Sequence, residues 1–171
     1  MKIRMAPLIL ITLAGMLPQP AAARKPFGQV QDAQGLAQIH SFCIDLNGHS
    51  VSEVSETRKF LERENSPGKV LAKLGWQYVS DCSKADATIK LTFIQKEETE
   101  QTSAVGTIAG TPMTSVPITV NKVDLTVVAK DSVKPLYSVE GESSKRDLSY
   151  SINSPYSKLE RDLKVLGSSK H

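Results

Sequence analysis

Aromatic residues, cysteine and excess charge of either sign are all scarce in this sequence, and each scarcity excludes a class of protein. Aromatic side chains make up 5% of the 171 residues, which is too few for a base-stacking surface or a carbohydrate platform. The chain has 21 basic and 18 acidic residues, so it lacks the strong positive field of a nucleic-acid-binding protein. We therefore predict no nucleic-acid partner.

Long apolar runs are also missing, except near the start of the chain. Two basic residues precede an apolar run over 6–17, and small residues follow at 21–23. This order is typical of a secretory signal, and the run is shorter than the about 20 apolar residues needed to span a bilayer. We predict that residues 1–23 are a signal peptide cut between Ala23 and Arg24, and that the mature protein is periplasmic or secreted, with no transmembrane helix.

A lipid anchor is not expected on this protein. The triplet Leu13-Ala14-Gly15 is followed by Met16, where a bacterial lipoprotein signal requires a cysteine. Residues 1–23 carry two basic residues and no acidic one, so the remaining chain has one more basic than acidic residue. Such a balance provides no basic cluster for binding to anionic lipid.

The chain has only two cysteines, Cys43 and Cys82. In an exported protein a pair of cysteines predicts a disulfide, because the compartment is oxidising. Closing a loop of roughly 40 residues would stabilise the fold by about 4 kcal/mol on the chain-entropy model. A reactive thiol pair or a zinc site with His40 and His49 is the alternative, although the spacing lacks a second close cysteine.

Hydrophobic periodicity divides the rest of the chain into an arm, a domain and a tail. Residues 24–38 are polar and lack a sustained period, which predicts a flexible arm, and residues 168–171 form a short tail. Between them, 39–167 alternates strand-like and helix-like patterns. We predict a single α+β domain (an α/β sandwich): one mixed sheet of about five strands, with two or three helices mostly on one face.

Local signals place several of these elements. Ser50 precedes Glu53 in capping-box order, which predicts a helix from there to about residue 65. Ser66-Pro67 starts a second helix that ends at Gly75. A last amphipathic helix is predicted from the Ser-Pro pair at 154–155 to Gly167.

A long segment rich in Thr, Ser and Gly interrupts the predicted sheet. It spans 99–116, and we predict a loop there. Long loops on a rigid sheet are common recognition elements, so this is the candidate recognition loop. Its candidate recognition residues are Thr99, Val105, Ile108 and Met113.

Motifs that carry chemistry are missing. The chain has three histidines. It lacks a nucleophile elbow, the strand-to-helix turn that presents a serine to a histidine base. The sequence GTIAG at 106–110 lacks the ending of a phosphate-binding loop. We predict no catalytic, cofactor or metal residue. Carboxylates that could serve a hydrolase remain available at Glu97, Glu98, Glu100, Glu140 and Glu142.

The segment VLAKLGWQYVSDCSKADATIKLTF, with the later VDLTVVAKDSVKPLYSVEGES and KLERDL, resembles a group of bacterial envelope proteins. It is similar to the amino-terminal domain of the Tol-Pal translocation protein, to curli-secretion-type lipoproteins and to uncharacterised exported families. The resemblance covers Ile39 to Leu166. It implies a fold and a compartment, and it transfers no catalytic residue.

Together these observations predict an exported, non-enzymatic binding or assembly module of the cell envelope or periplasm, whose partner is an unknown envelope protein. Two alternatives remain open. The first is a small secreted hydrolase that uses acidic residues. The second is an enzyme inhibitor that acts through the 99–116 loop.

Overall fold

The computed structural model describes residues 25–63, 66–102, 114–145 and 148–168. The predicted signal and its cleavage site at Ala23 and Arg24 therefore lie outside the described residues. The strands are β1 Gln29–Val30, β2 Ser41–Asp45, β3 Gln77–Tyr78, β4 Ala87–Thr102, β5 Thr114–Ala129 and β6 Pro135–Val139. The helices are α1 Ala33–Ala37, α2 Val51–Glu62, α3 Pro67–Ala72 and α4 Leu148–Ser168, and a 3-10 turn spans Cys82–Lys84.

The six strands form one mixed sheet in the order β1-β6-β5-β4-β2-β3. Strand β2 runs parallel to both β3 and β4, whereas β4, β5, β6 and β1 are antiparallel neighbours. The predicted α+β class with a mixed sheet is confirmed, with six strands where about five were expected. The extra strand is β1, a two-residue element that is too short to produce a periodic pattern.

One face of the sheet is apolar and packs against the helices. Alternation puts Phe42 and Ile44 of β2 on this face, together with alternate residues of β4, β5 and β6. Phe60 of α2, Leu71 of α3 and the α4 residues Ile152, Tyr156 and Leu159 complete the core. In the part of the chain that the structure describes, no helix has the length and apolar character needed to cross a membrane.

The predicted helix signals are present at the start of α2 and at both ends of α3. Ser50 and Glu53 form a complete capping box at the start of α2. Ser66 caps α3, and Gly75 has φ +89°, which a glycine adopts without steric cost. These local patterns were readable because short-range hydrogen bonds, rather than tertiary packing, determine them.

The disulfide prediction is confirmed. Cys43 is bonded to Cys82, with their Cα atoms 5.1 Å apart. Cys43 pairs with Thr88 in the sheet and its side chain lies on the face away from the core helices, because Phe42 and Ile44 occupy the other face. The bond therefore fixes the 3-10 turn after β3 onto the back of β2.

The prediction of a flexible arm over 24–38 is corrected by the structure. Residues 29–30 pair with β6, and α1 buries Leu36 in the core. Asp162 of α4, itself 1% exposed, accepts hydrogen bonds from the amides of Phe27 and Gly28, each at 2.8 Å. The backbone makes most of these contacts, so the polar side chains gave no periodic signal. The domain therefore begins before Ile39.

Helix α4 begins at Leu148, earlier than the Ser-Pro pair predicted, and Pro155 lies inside it. Proline is expected at helix starts because it lacks an amide hydrogen. Here Pro155 is buried against the loop after β6, since a Cβ built on Gly141 would lie 3.3 Å from its Cδ. Tertiary packing has overridden the local signal.

Candidate functional site

Strands β4 and β5 extend far beyond their neighbours and form a two-stranded ribbon. We define the ribbon as residues 95–102 and 114–121, which contribute eight residue pairs. At about 3.3 Å per residue the ribbon is roughly 25 Å long. Among the described strands, β2 flanks β4 only as far as Lys90, and β6 flanks β5 only as far as Leu125. The ribbon therefore projects from one end of the sheet.

The ribbon differs on its two faces. On the face away from the core helices, alternation places Val116, Ile118 and Val120 in one row on β5. Val116 is 41% exposed, while Val120 at the inner end is 5% exposed. Val116 is thus the exposed member of this row, and a β-branched side chain on a projecting element provides apolar contact area for a partner protein.

Charged residues line the other strand of the same face. Lys96 is opposite Val120, and Glu98 is opposite Ile118. Pro117 interrupts the amide row of β5 because proline has no N–H. Charges and proline on an exposed edge suppress edge-to-edge aggregation, so the ribbon is protected against indiscriminate strand pairing and its side chains are left to provide specific contacts.

The inner end of the ribbon is held by the segment that follows β6, residues 140–145. Ser144 exchanges two backbone hydrogen bonds of 2.8 Å with Asn121. Lys122 bridges Glu140 at 2.8 Å and Asp124 at 3.3 Å. These contacts fix the direction in which the ribbon leaves the sheet.

Electrostatics at this end of the ribbon favour ionised groups. The hydrogen bond from Lys122 lowers the pKa of Glu140, and the same bond, with a contribution from Asp124, raises the pKa of Lys122. Lys158 of α4 donates to the backbone oxygen of Glu140 at 2.9 Å. The cluster therefore connects the ribbon to the last helix.

Replacing Gly141 by alanine is expected to weaken this attachment. A Cβ at this position would lie 2.1 Å from the backbone oxygen of Val123, so the chain would have to shift. Overpacking of this kind costs roughly 1–3 kcal/mol. Urea unfolding is the measurement, with Gly167→Ala as the control, because nothing lies within 4 Å of a Cβ there. Equal stability of the two variants would contradict the prediction.

A histidine just before α2 packs against the sheet near the inner end of the ribbon. His49 packs edge-on against Phe93, with ring centroids 5.0 Å apart, and its Nδ1 lies 3.4 Å from the Glu53 carboxylate. His49 is half-buried. The histidine acts as a spacer between α2 and the sheet.

The prediction of a loop over 99–116 is wrong at both ends, because β4 extends to Thr102 and β5 begins at Thr114. Thr99 belongs to β4 and pairs with Pro117 of β5. Val105, Ile108 and Met113 lie outside the described residues. Little in the sequence marks this continuation, because residues 95–99 of β4 are exposed on both faces and their polar side chains hide the period of two.

The carboxylates considered for hydrolysis are distributed in a way that does not favour that chemistry. Glu97 and Glu98 are adjacent on β4 and so point to opposite faces. The lowered pKa of Glu140 is the reverse of what a general acid needs. Glu142 lies 3.6 Å from Lys158. In the described ranges, no group of three or more potential metal ligands is found.

Comparisons with known proteins add little to this description. No protein-family model matches the chain, and no curated protein matches it. A crystal structure of a PDZ domain protein from Parabacteroides distasonis is similar over 76% of this chain and 32% of its own, with 13% identity and a TM-score of 0.38. This chain thus covers about a third of that protein. At this TM-score the similarity carries no argument about function.

Proposed function

We propose that this protein is an exported, non-enzymatic binding or assembly module of the bacterial cell envelope, and that the ribbon contacts its protein partner. The observation that carries the proposal is the ribbon itself, which extends eight residue pairs beyond the flanking strands and carries an apolar row whose outer residue, Val116, is exposed. Elements that project from a rigid scaffold at a fixed angle are suited to recognition.

Two further observations support this proposal. The disulfide between Cys43 and Cys82 is suited to an oxidising compartment outside the cytoplasm. The motifs around Gly75 and Ala85 resemble those of exported envelope domains. An inhibitor of an envelope enzyme would use the same ribbon as its inserted segment. The identity of the partner therefore distinguishes an assembly module from an enzyme inhibitor.

Photo-crosslinking in the native host tests the proposal. With p-benzoylphenylalanine in place of Val116, we expect one covalent adduct of discrete mass in the periplasmic fraction, because position 116 lies at the outer part of the apolar row. Val133 is the control position, since it is 96% exposed and lies in the turn at the opposite end of β5. Mass spectrometry of the adduct identifies the partner.

The outcome at a second ribbon position makes the result decisive. Glu98 is exposed on the same face as Val116, so the probe placed there is expected to trap the same partner. Absence of an adduct at both ribbon positions would overturn the proposal. The same adducts from position 133 would also overturn it, because they would report nonspecific encounter.

A further inference from the structure

The two edges of the ribbon differ in what they offer to another strand. On the β5 side, Ser144 occupies the inner end of the edge, and Pro117 lacks an amide hydrogen further out. On the β4 side, β2 ends beside Lys90, and among the strands that the structure describes none follows it along this edge. Residues 95–99 of β4 are all exposed. The β4 edge is therefore the one that a further strand can join.

The hydrogen-bond pattern shows which backbone groups of β4 face this edge. Asn121 of β5 directs both its N–H and its C=O away from β4, because it exchanges two bonds with Ser144. Gln95 is the residue opposite Asn121, so it directs its own backbone groups away from β5. The register between β4 and β5 is unbroken, so Glu97 and Thr99 do the same. Alternate residues thus present a donor and an acceptor along an exposed edge.

The side chains at the middle of this edge are charged and lack partners. Glu97 lies between Lys96 and Glu98 in the sequence. In the described part of the chain, none of the three is in an ion pair, and the residues opposite them on β5 are uncharged. Their charges are therefore available to a strand that joins on the other side.

The order of these residues is complementary to its own reverse. When two copies of β4 pair antiparallel about Glu97, Lys96 of each copy lies opposite Glu98 of the other, and Gln95 lies opposite Thr99. The outward-facing residues then form the hydrogen-bonded pairs. Opposite charges across strands stabilise a sheet and like charges destabilise it. Two attractive Lys96–Glu98 pairs outweigh the one repulsive contact between the two Glu97 side chains, whereas pairing about Lys96 would put two lysines together.

The lengths of the strands also fit this register. With Glu97 on the two-fold axis, the end of β2 in one copy, beside Lys90, lies two residues beyond the end of β4 in the other, at Thr102. The two strands therefore do not overlap. A register centred on Gln95 would place β2 of one copy over the end of β4 of the other.

We propose that this protein forms a two-fold symmetric dimer in which the β4 edges of two ribbons pair about Glu97. The strand that joins the edge is thus a second copy of this chain. The two ribbons then form one four-stranded sheet, and the apolar rows of both copies face the same side of it. This inference goes beyond the proposed function and stands whether or not the ribbon also binds an envelope protein.

Sedimentation velocity of the purified mature chain over a rising concentration series tests the dimer. We expect a reversible equilibrium between monomer and dimer. Lys96→Glu replaces two attractive pairs by two repulsive ones, so the dissociation constant is expected to rise about thirtyfold. Glu97→Gln removes the repulsion on the axis and is expected to lower it about threefold. The combined variant Lys96→Glu/Glu98→Lys exchanges the two charges and should restore the native dissociation constant.

Hydrogen exchange on either side of the dissociation constant locates the interface. In the dimer the amides of Gln95, Glu97 and Thr99 should gain protection, because each acquires an acceptor on the second copy. The amides of Lys96 and Glu98 should not change, since they face β5 within the ribbon in both states.

Two proline variants provide a matched pair. Glu97→Pro removes an outward amide from the β4 edge and is expected to abolish dimerisation. Thr119 lies opposite Glu97, so Thr119→Pro removes an outward amide from the β5 edge and should leave the dimer intact. Circular dichroism of each variant establishes that it is folded before it is sedimented.

Sedimentation of the native chain as a monomer throughout the series would overturn the proposal. A dimer that survives in a folded Lys96→Glu variant would do so as well, and so would a folded charge-exchange variant that stays monomeric. None of these results would alter the crosslinking test at Val116, which lies on β5 away from the joined edges.

Discussion

Removal of the Cys43–Cys82 bond is expected to lower the free energy of unfolding by about 4 kcal/mol, because the bond closes a loop with a sequence separation of 39 residues and so restricts the unfolded chain. For a domain of this size, whose total stability is about 5–15 kcal/mol, such a loss is a large fraction. Urea unfolding with and without reductant measures the difference.

The double variant Cys43→Ala/Cys82→Ala separates the bond from the reductant. It should show the low stability of the reduced protein in both conditions, lowered a little further because Cys43 is fully buried and its sulfur fills space. If the native protein unfolds at the same urea concentration in both conditions, the bond does not stabilise the fold in the way proposed.

Replacing Asp162 by alanine is expected to cost about 4 kcal/mol, since hydrogen bonds to a charged group are each worth roughly 1.5–3 kcal/mol and several are lost together. The carboxylate accepts from the Tyr137 hydroxyl at 2.8 Å as well as from the amides of Phe27 and Gly28. Tyr137 is fully buried, so its hydroxyl would be left in the interior without this hydrogen-bond partner. Burial, and then Asp162, raises the pKa of Tyr137, so its hydroxyl stays protonated and continues to donate.

Two variants with smaller expected losses test whether the Asp162 carboxylate stabilises the protein by holding the arm in place. Tyr137→Phe removes one donor and is expected to cost about 1–2 kcal/mol, with the arm still docked. Asp162→Asn retains the volume and one acceptor oxygen, and should fall between Tyr137→Phe and Asp162→Ala. Hydrogen exchange at Phe27 and Gly28 is the specific measurement. Protection of these amides that survives in Asp162→Ala would show that something else holds the arm.

The sequence was informative at the ends of α2 and α3 and at the disulfide, while the Ser-Pro pair inside α4 misplaced the start of that helix. The capping box of α2 and the end of α3 at Gly75 were both readable, because each depends on hydrogen bonds within a few residues. The disulfide was readable from the cysteine count.

The features that the sequence hid are held by contacts between distant residues. The arm docks through backbone amides, so its polar side chains did not reveal it. Residues 95–99 of β4 are exposed on both faces of the ribbon, so hydrophobic alternation could not mark this part of the strand. Leu36, Trp76 and Leu166 line one cleft although they come from three distant parts of the chain, which no local pattern can join.

The arm also affects the order in which the chain can become native. Phe27 and Gly28 lie 135 and 134 residues before the carboxylate that holds them. A ribosome delivers a chain from its amino terminus, and so does an export channel, so the arm arrives long before the carboxylate that binds it. Until α4 is available to hold the arm, β6 has an open edge. Any helper that shields this nascent protein therefore has to protect that edge until α4 has been delivered.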